Sequence, residues 1–164
     1  RLSQQTADSK TLITLLHLRD IASKVDGCHY SILTEMLDVR NLELAEVTKA
    51  DDFIVSDRFI SLLISQLSER KALAGVFEDI FNSEGSEIYL KSARNYIELN
   101  KEVNFYTIVE SARRRNEVAI GFRIGKDSIN QKANYGIVLN PHKLDMKSFA
   151  NDDEIIVLSE TFKG

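Results

Sequence analysis

Cysteine, proline and tryptophan are almost absent from this chain of 164 residues. It contains one cysteine, Cys28, one proline and no tryptophan. A single cysteine excludes a disulfide framework and a cysteine metal cluster, and it fits a reducing compartment. Cys28 precedes His29, but adjacent residues of a strand point to opposite faces, which argues against a reactive thiolate pair.

Long apolar runs and excess positive charge are also lacking. No apolar run approaches the roughly 20 residues that span a bilayer, and the first residues do not form a signal peptide. If the protein acts at a membrane, we expect the membrane part outside these residues. The net charge of −4 gives no support for nucleic-acid binding, which depends on a basic surface.

Sequence motifs for common enzyme chemistry are missing. Neither a GxGxxG nor a GxxxxGK[ST] stretch occurs, so the chain lacks a complete phosphate-binding loop. His17, His29 and His142 are far apart and lack the HExxH spacing of zinc hydrolases. We therefore predict no catalytic residue and no enzymatic activity.

The composition is that of an ordinary globular protein, with 43% hydrophobic and 28% charged residues. The first 55 residues predict a helix over 9–24, capped by Asp8 or Ser9, and a strand over 30–36. A short helix over 40–47 and a strand over 53–55 follow. This alternation favours a parallel sheet, because parallel neighbours need a crossover connection. It resembles the second half of a doubly wound α/β domain.

Two apolar helices are predicted within residues 56–82, with Ser56 as the first cap and a bend at residues 69–71. Their apolar positions are too numerous for a linker and need a covering surface. We predict that this segment forms a homodimer interface through Phe59, Leu63, Ile64, Leu67, Val76, Phe77 and Ile80.

The remainder, residues 83–164, predicts a small α+β lobe. Strands are expected over 87–90, 118–124, 135–139 and 155–158, with another extended piece over 96–99. A helix over 105–114 is expected to begin after the cap Asn104. Val118, Ile120, Phe122 and Ile124 alternate with smaller or polar residues, so we expect these four on one buried face.

Acidic residues are the only candidate ligands. Glu35 lies near the carboxyl end of a predicted parallel strand, where open α/β sheets bind ligands, and Asp38 follows it. The two could hold a metal or a ribose, or they could simply face water. The same alternatives apply to three acidic clusters that lack EF-hand spacing: residues 51–52, 78–79 and 152–154.

Several stretches of the sequence, taken in their order along the chain, resemble the regulator-of-potassium-conductance (RCK) domain. Those of the first part are residues 8–21, 32–35 and 50–56. The lobe is similar to the C-terminal lobe of Trk-type potassium transport regulators. Phrases similar to those of Castor/Pollux-type cation channels are residues 84–90, 105–114, 117–123 and 138–143.

The resemblance implies three parts. Residues 1–55 would be the truncated second half of a Rossmann-like RCK lobe, without its glycine-rich turn and first strands. Residues 56–82 would be the crossover and dimerisation helices, and residues 83–164 the C-terminal ligand-binding lobe. The implied fold class is α/β plus α+β.

The resemblance also implies a function. The chain would be a cytoplasmic gating domain that couples ligand binding to the opening of a potassium or other cation channel. Dimers would assemble into a tetrameric gating ring beneath a pore domain outside these residues. A soluble regulatory subunit of a Trk-type potassium transporter is the alternative. A nicotinamide-dependent reductase fragment is a third reading, but it lacks an acid–base group.

The ligand implied by the resemblance is calcium or a nucleotide such as NAD. Glu35 matches a strand-end carboxylate that binds calcium in calcium-gated RCK domains. Leu37 stands where a second acid would be expected, and Asp38 comes one residue later.

Overall fold

The structure is a computed structural model that describes residues 3–24, 32–41, 52–82, 84–128 and 130–160. The chain divides into two units, Arg1–Leu73 and Ala74–Gly164. The division falls within the predicted crossover segment, and the three-part organisation stays a prediction. Cys28, His29, Asp51 and most of the helix predicted over 40–47 lie outside the described residues.

The first unit begins with helix α1, Gln4–Lys24. Its start is earlier than predicted, because Ser3 serves as the cap: the Ser3 hydroxyl accepts a hydrogen bond from the Thr6 amide at 3.2 Å. The predicted cap Asp8 lies inside the helix and is buried. The prediction of a cap at Asp8 or Ser9 is therefore wrong.

Two short strands form the sheet of this unit. Strand β1, Leu33–Met36, pairs in parallel with β2, Asp52–Val55, which confirms the expected parallel arrangement. Met36 and Val55 are buried, and Leu12 of α1 packs against them. A single 3₁₀ turn, Val39–Asn41, follows β1.

Two helices follow, α2 over Ser56–Glu69 and α3 over Leu73–Phe81, and neither contains a buried residue. They are interrupted where predicted, since Arg70 is extended. Ser56 is not a cap: α2 has Val55 at its cap position without a side-chain hydrogen bond. The Ser56 hydroxyl donates to the Glu35 carboxylate instead.

The second unit contains an antiparallel four-stranded sheet in the order β3-β8-β5-β6. Its strands are β3 Glu87–Ser92, β5 Val118–Arg123, β6 Ile137–Leu139 and β8 Glu154–Ser159. This confirms the strand predictions in their essentials. The piece expected over 96–99 is a turn and not a strand. A small sheet of β4 Glu102–Asn104 and β7 Met146–Ser148 was not predicted.

Helix α4, Phe105–Arg114, covers the sheet as predicted. The Asn104 side chain accepts from the Thr107 amide at 3.1 Å and caps the helix. Phe122 joins the core through an edge-to-face contact with Phe149, with ring centroids 5.3 Å apart. The core contains Ala93, Tyr96, Phe105, Ile108, Ala112, Ala119, Phe122, Ile124, Phe149, Ile155 and Val157.

A β-bulge in β5 changes which residues face this core. Ala119 pairs with Val157 and Gly121 with Ile156, so Ile120 is the extra residue. One inserted residue reverses the alternation of faces beyond it. Ala119 and Phe122 are consequently both buried, whereas Val118 is 60% exposed and Ile120 is half-buried. The single-face prediction was wrong for Val118 and Ile120, and right for Phe122 and Ile124.

Candidate functional site

Glu35 lies on β1 at the edge where the parallel strands end. Its side chain is exposed, and it accepts a hydrogen bond from the Ser56 hydroxyl at the start of α2. The contact joins the end of one strand to the helix that follows the next. Glu35 therefore lies at the expected edge of the sheet, and its carboxylate already has a hydrogen-bond partner in Ser56.

Asp38 forms a two-pronged ion pair with Arg40. The Arg40 Nε lies 3.0 Å from Asp38 Oδ1 and its Nη2 lies 2.6 Å from Oδ2. The side-chain hydrogen bonds from Arg40, reinforced by its backbone amide, lower the pKa of Asp38 to about 2. This carboxylate is ionised, and the positive charge of the Arg40 guanidinium already balances it. A cation bound there would therefore compete with the guanidinium.

Glu35 and Asp38 bond to different side chains, those of Ser56 and Arg40. Within the described ranges, the structure has no group of three or more acidic, histidine or cysteine residues placed to hold a metal ion. The calcium site stays a prediction, and it would need further oxygen ligands, since calcium takes six to eight.

A third carboxylate, that of Asp8, holds the backbone at this edge of the sheet. The sequence did not predict this role for Asp8. It is 1% exposed. Its oxygens accept hydrogen bonds from the Leu37 amide at 2.9 Å and the Asp38 amide at 3.0 Å. They also accept from the Asn41 side chain at 2.7 Å. Asp8 therefore fixes the backbone after β1. The sequence signal was an acid on the helix face of Leu12 and Leu15.

Beside these groups the first unit has an open hollow of about 510 Å³. It lies where the strand carboxyl ends meet the start of α2. Carboxyl ends of parallel strands are the usual ligand side of an open sheet. The hollow is lined by Gln4, Leu37, Asp38, Arg40, Asp57, Arg58 and Ser61.

In the lobe, a buried polar triad joins residues far apart in the sequence. Lys91 Nζ lies 2.8 Å from Glu117 Oε1, and the Tyr96 hydroxyl donates to Glu117 Oε2 at 2.5 Å. Burial raises the pKa of Glu117, but the hydrogen bonds from Lys91 and Tyr96 outweigh it and lower the pKa. Burial, with the bond to Glu117, raises the pKa of Tyr96.

The histidines and acidic clusters considered in the sequence analysis lie elsewhere in the structure. His17 is exposed, and His142 contacts Asp145 at 3.0 Å. Glu78 and Asp79 are exposed. Asp153 is buried and accepts from the Gly125 amide at 2.9 Å and the Ala150 amide at 2.8 Å, so it has a structural role.

A glycine is required at position 125, because a Cβ there would lie 2.4 Å from the Asp152 carbonyl oxygen. The neighbouring acid Glu154 pairs with Arg123 across the sheet at 3.0 Å. The acidic cluster of residues 152–154 thus has partners of its own for two of its three carboxylates.

None of the helices in the described part of the chain has the length and apolarity to cross a bilayer. No family model matches the chain. Curated relatives do match it. A probable ion channel POLLUX of Oryza sativa is 31% identical over 94% of this chain and 18% of its own length. The ion channel CASTOR of Lotus japonicus is 28% identical over 94% of this chain and 20% of its own.

The ion channel DMI1 of Medicago truncatula is 28% identical over 93% of this chain and 20% of its own length. The chain spans about a fifth of the length of these curated relatives. Among solved structures, the GsuK RCK domain is 15% identical with a TM-score of 0.35, covering 94% of this chain and 29% of that one.

Proposed function

Because the chain is homologous over nearly its whole length to one segment of the Castor/Pollux ion channels, we propose that it is a regulatory domain of a cation channel. The observation that carries the proposal is the set of relatives named as ion channels, matched over 93–94% of the chain. In this role the chain couples ligand binding to pore opening from the cytoplasmic side of a membrane and is not a catalyst. The Trk-type regulatory subunit is not favoured, since these relatives are named ion channels.

The exposed apolar residues of α2 support self-association as part of this function. Phe59, Ile60, Leu62 and Ile64 are each 48–59% exposed. On α3, Val76 and Phe81 are 50% and 59% exposed. Apolar helices of this kind are stabilised when a partner removes them from water. The partner that we propose is a second copy, with dimers assembling into a ring below the pore.

Gating then requires a ligand that binds one arrangement of the paired domains more tightly than the other. The hollow beside Asp38 and Arg40 is the position that we propose for that ligand, calcium or a nucleotide such as NAD. A ligand there would contact both the end of β1 and the start of α2, so it could change how α2 is held.

The function is tested by recording currents from the full-length protein that contains this segment. We expect the open probability to change with calcium or NAD on the cytoplasmic face. The double substitution Arg40→Ala and Arg58→Ala should remove a response to NAD, because the guanidinium groups would hold its phosphates, and Glu35→Gln should remove a response to calcium. Neither change should remove the pore. A full-length protein without pore helices would contradict the gating role. Currents that do not depend on the ligand and are identical in the wild-type and the substituted protein would contradict it as well.

Self-association is tested on the chain itself by sedimentation. We expect a dimer at micromolar concentration and a monomer for Leu62→Asp with Ile64→Asp, because the charges cannot be buried at an apolar interface. Ser65→Asp, a change at an exposed polar position on the opposite face of the same helix, is the control and should remain dimeric. A wild-type monomer would remove this part of the proposal.

The calcium alternative is tested by thermal unfolding. Calcium should raise the melting temperature by mass action, and Glu35→Gln should abolish the rise. Glu69→Gln, at an exposed position of α2, should keep it. If calcium leaves the wild-type chain unchanged while NAD stabilises it, the nucleotide reading replaces the calcium reading.

A further inference from the structure

The lobe contains a hollow of about 320 Å³ between α4, the sheet and the chain that leads into β7. Its floor is apolar and part of the core: Phe105 and Phe122 are 3% and 6% exposed, and Phe149 is 1% exposed. Val103 and Pro141 are among its walls. A cavity of about 150 Å³ with such walls holds benzene, so this one has room for a ring and a substituent chain.

Positive charge lies over the rings that line this hollow. The Lys147 Nζ is 5.1 Å from the centroid of the Phe122 ring, and the Lys143 Nζ is 4.5 Å from that of Phe105. Lys143 also donates to the Asn140 side chain at 3.0 Å. Within the described part of the chain, neither ammonium group forms an ion pair with a carboxylate.

The nearby carboxylate does not compensate Lys147. Asp145 is 3.0 Å from the His142 ring nitrogen, and both of these side chains are exposed, 78% and 69%. They belong to the mouth of the hollow, where water screens their charge. The site therefore combines aromatic walls with two half-buried lysines, Lys143 and Lys147, and of these Lys147 lines the hollow itself.

We propose that this hollow binds a small organic monocarboxylate with a flat apolar body. The carboxylate takes the Lys147 ammonium as its partner, and the body lies on the rings of Phe105, Phe122 and Phe149. A phosphate ester is a poorer match, because its double charge needs several donors and the walls are apolar. The site belongs to the lobe itself and is independent of whether the chain gates a pore.

The test is an NMR titration of the 164-residue chain with 3-phenylpropionate and with its neutral analogue 3-phenylpropanol. We expect saturable shifts for the signals of Ile108, Phe122 and Phe149, with tighter binding of the acid. Lys147→Met keeps the apolar stem and removes the charge. It should weaken binding of the acid about tenfold, the usual size of a charge-assisted hydrogen bond, and leave the alcohol unchanged.

Two further variants make the result specific. Lys126→Met, at an exposed lysine of the same lobe, should leave binding of both compounds unchanged. Val138→Trp fills the hollow from β6 and should abolish binding of both. Absence of saturable binding at millimolar concentrations, equal affinity for acid and alcohol, or full binding by Lys147→Met or Val138→Trp would each overturn the proposal.

Discussion

The lobe and the first unit bury apolar residues to very different degrees. In the lobe, eleven side chains form one buried cluster between α4 and the sheet. Among the described residues of the first unit, the corresponding cluster contains Met36 and Val55. Its helix α2 buries none. A domain is stable when its own core offsets the entropy of ordering the chain. The lobe meets this condition by itself, whereas α2 needs another surface.

The chain matches about a fifth of each curated relative. The surface that we propose for covering α2 is a second copy of the chain. The described strands of both units pair within their own unit, so the difference lies in how many side chains each unit buries. We infer that the lobe is the independently folding part and that the first unit is completed by association.

The largest expected effect is a core truncation in the lobe. Phe149→Ala should destabilise the lobe by about 3–5 kcal/mol, because it empties a fully buried aromatic site. Leu62→Ala on α2, where the leucine is 59% exposed, should change the stability of the monomer by less than about 0.5 kcal/mol. Denaturant unfolding followed by circular dichroism measures both. Similar losses for the two variants would remove the contrast between the regions.

A comparable effect is expected at the buried triad. Glu117→Leu removes the carboxylate that pairs with the buried Lys91 ammonium and should cost about 3–5 kcal/mol. Adding Lys91→Met and Tyr96→Phe should recover most of this loss, since the whole triad is then replaced by apolar groups of similar size. A triple variant as unstable as Glu117→Leu alone would show that the polar triad is not the source of the loss.

The same triad predicts how lobe stability depends on pH. The folded pKa of Glu117 is below its ordinary value of 4.5, so its contribution is present above pH 4.5 and is lost as pH falls through the folded pKa. The folded pKa of Tyr96 is above its ordinary value of 10.0. Stability should therefore also decline as pH rises above 10. Tyr96→Phe should weaken the alkaline decline, and an unchanged profile would contradict the assignment.

A smaller effect is expected at Asp8 in the first unit. Asp8→Asn removes the charge that accepts the Leu37 and Asp38 amides and should cost about 1–3 kcal/mol. Hydrogen exchange of those two amides should accelerate. Asp20→Asn on the same helix is the control, since Asp20 forms an exposed pair with Lys24 of little expected energy. Unchanged exchange at Leu37 would show that Asp8 does not hold this turn.

The smallest effect concerns the bulge in β5. Ile120→Ala should cost about 1 kcal/mol, because Ile120 is the half-buried extra residue. Ile155→Ala, at a fully buried position of β8, should cost about 2–5 kcal/mol. If the two losses are equal, Ile120 lies in the core and the bulge is misplaced.

These elements show which features a sequence can predict. Helix α4 was predicted at both ends, because its cap and its apolar face are set by neighbours within four residues. The strands of the lobe were predicted from local apolar content. The bulge was not, since it depends on how β5 pairs with β8. Strands β4 and β7 have three residues each, too few for a periodic signal.

The candidate sites were predicted less well for the same reason. Glu35 was placed correctly at a strand edge, and its position followed from alternation of helix and strand. Its partner Ser56 is 21 residues away, and the Lys91–Glu117 pair is separated by 26. Asp8 bonds amides 29 and 30 residues later. Only the folded chain shows such contacts, because local patterns contain no information on them.

The most direct test of the contrast between the lobe and the first unit is amide hydrogen exchange at two protein concentrations. One is too low for the chain to dimerise, and the other is high enough for it to do so. We expect β5 and β8 to be the most protected segments at both concentrations. Their exchange rates should not depend on concentration, because the lobe buries its core without a second copy. Amides of α2 should exchange quickly in the dilute sample and slow down in the concentrated one. Protection of α2 that equals that of β5 in dilute solution would contradict the account.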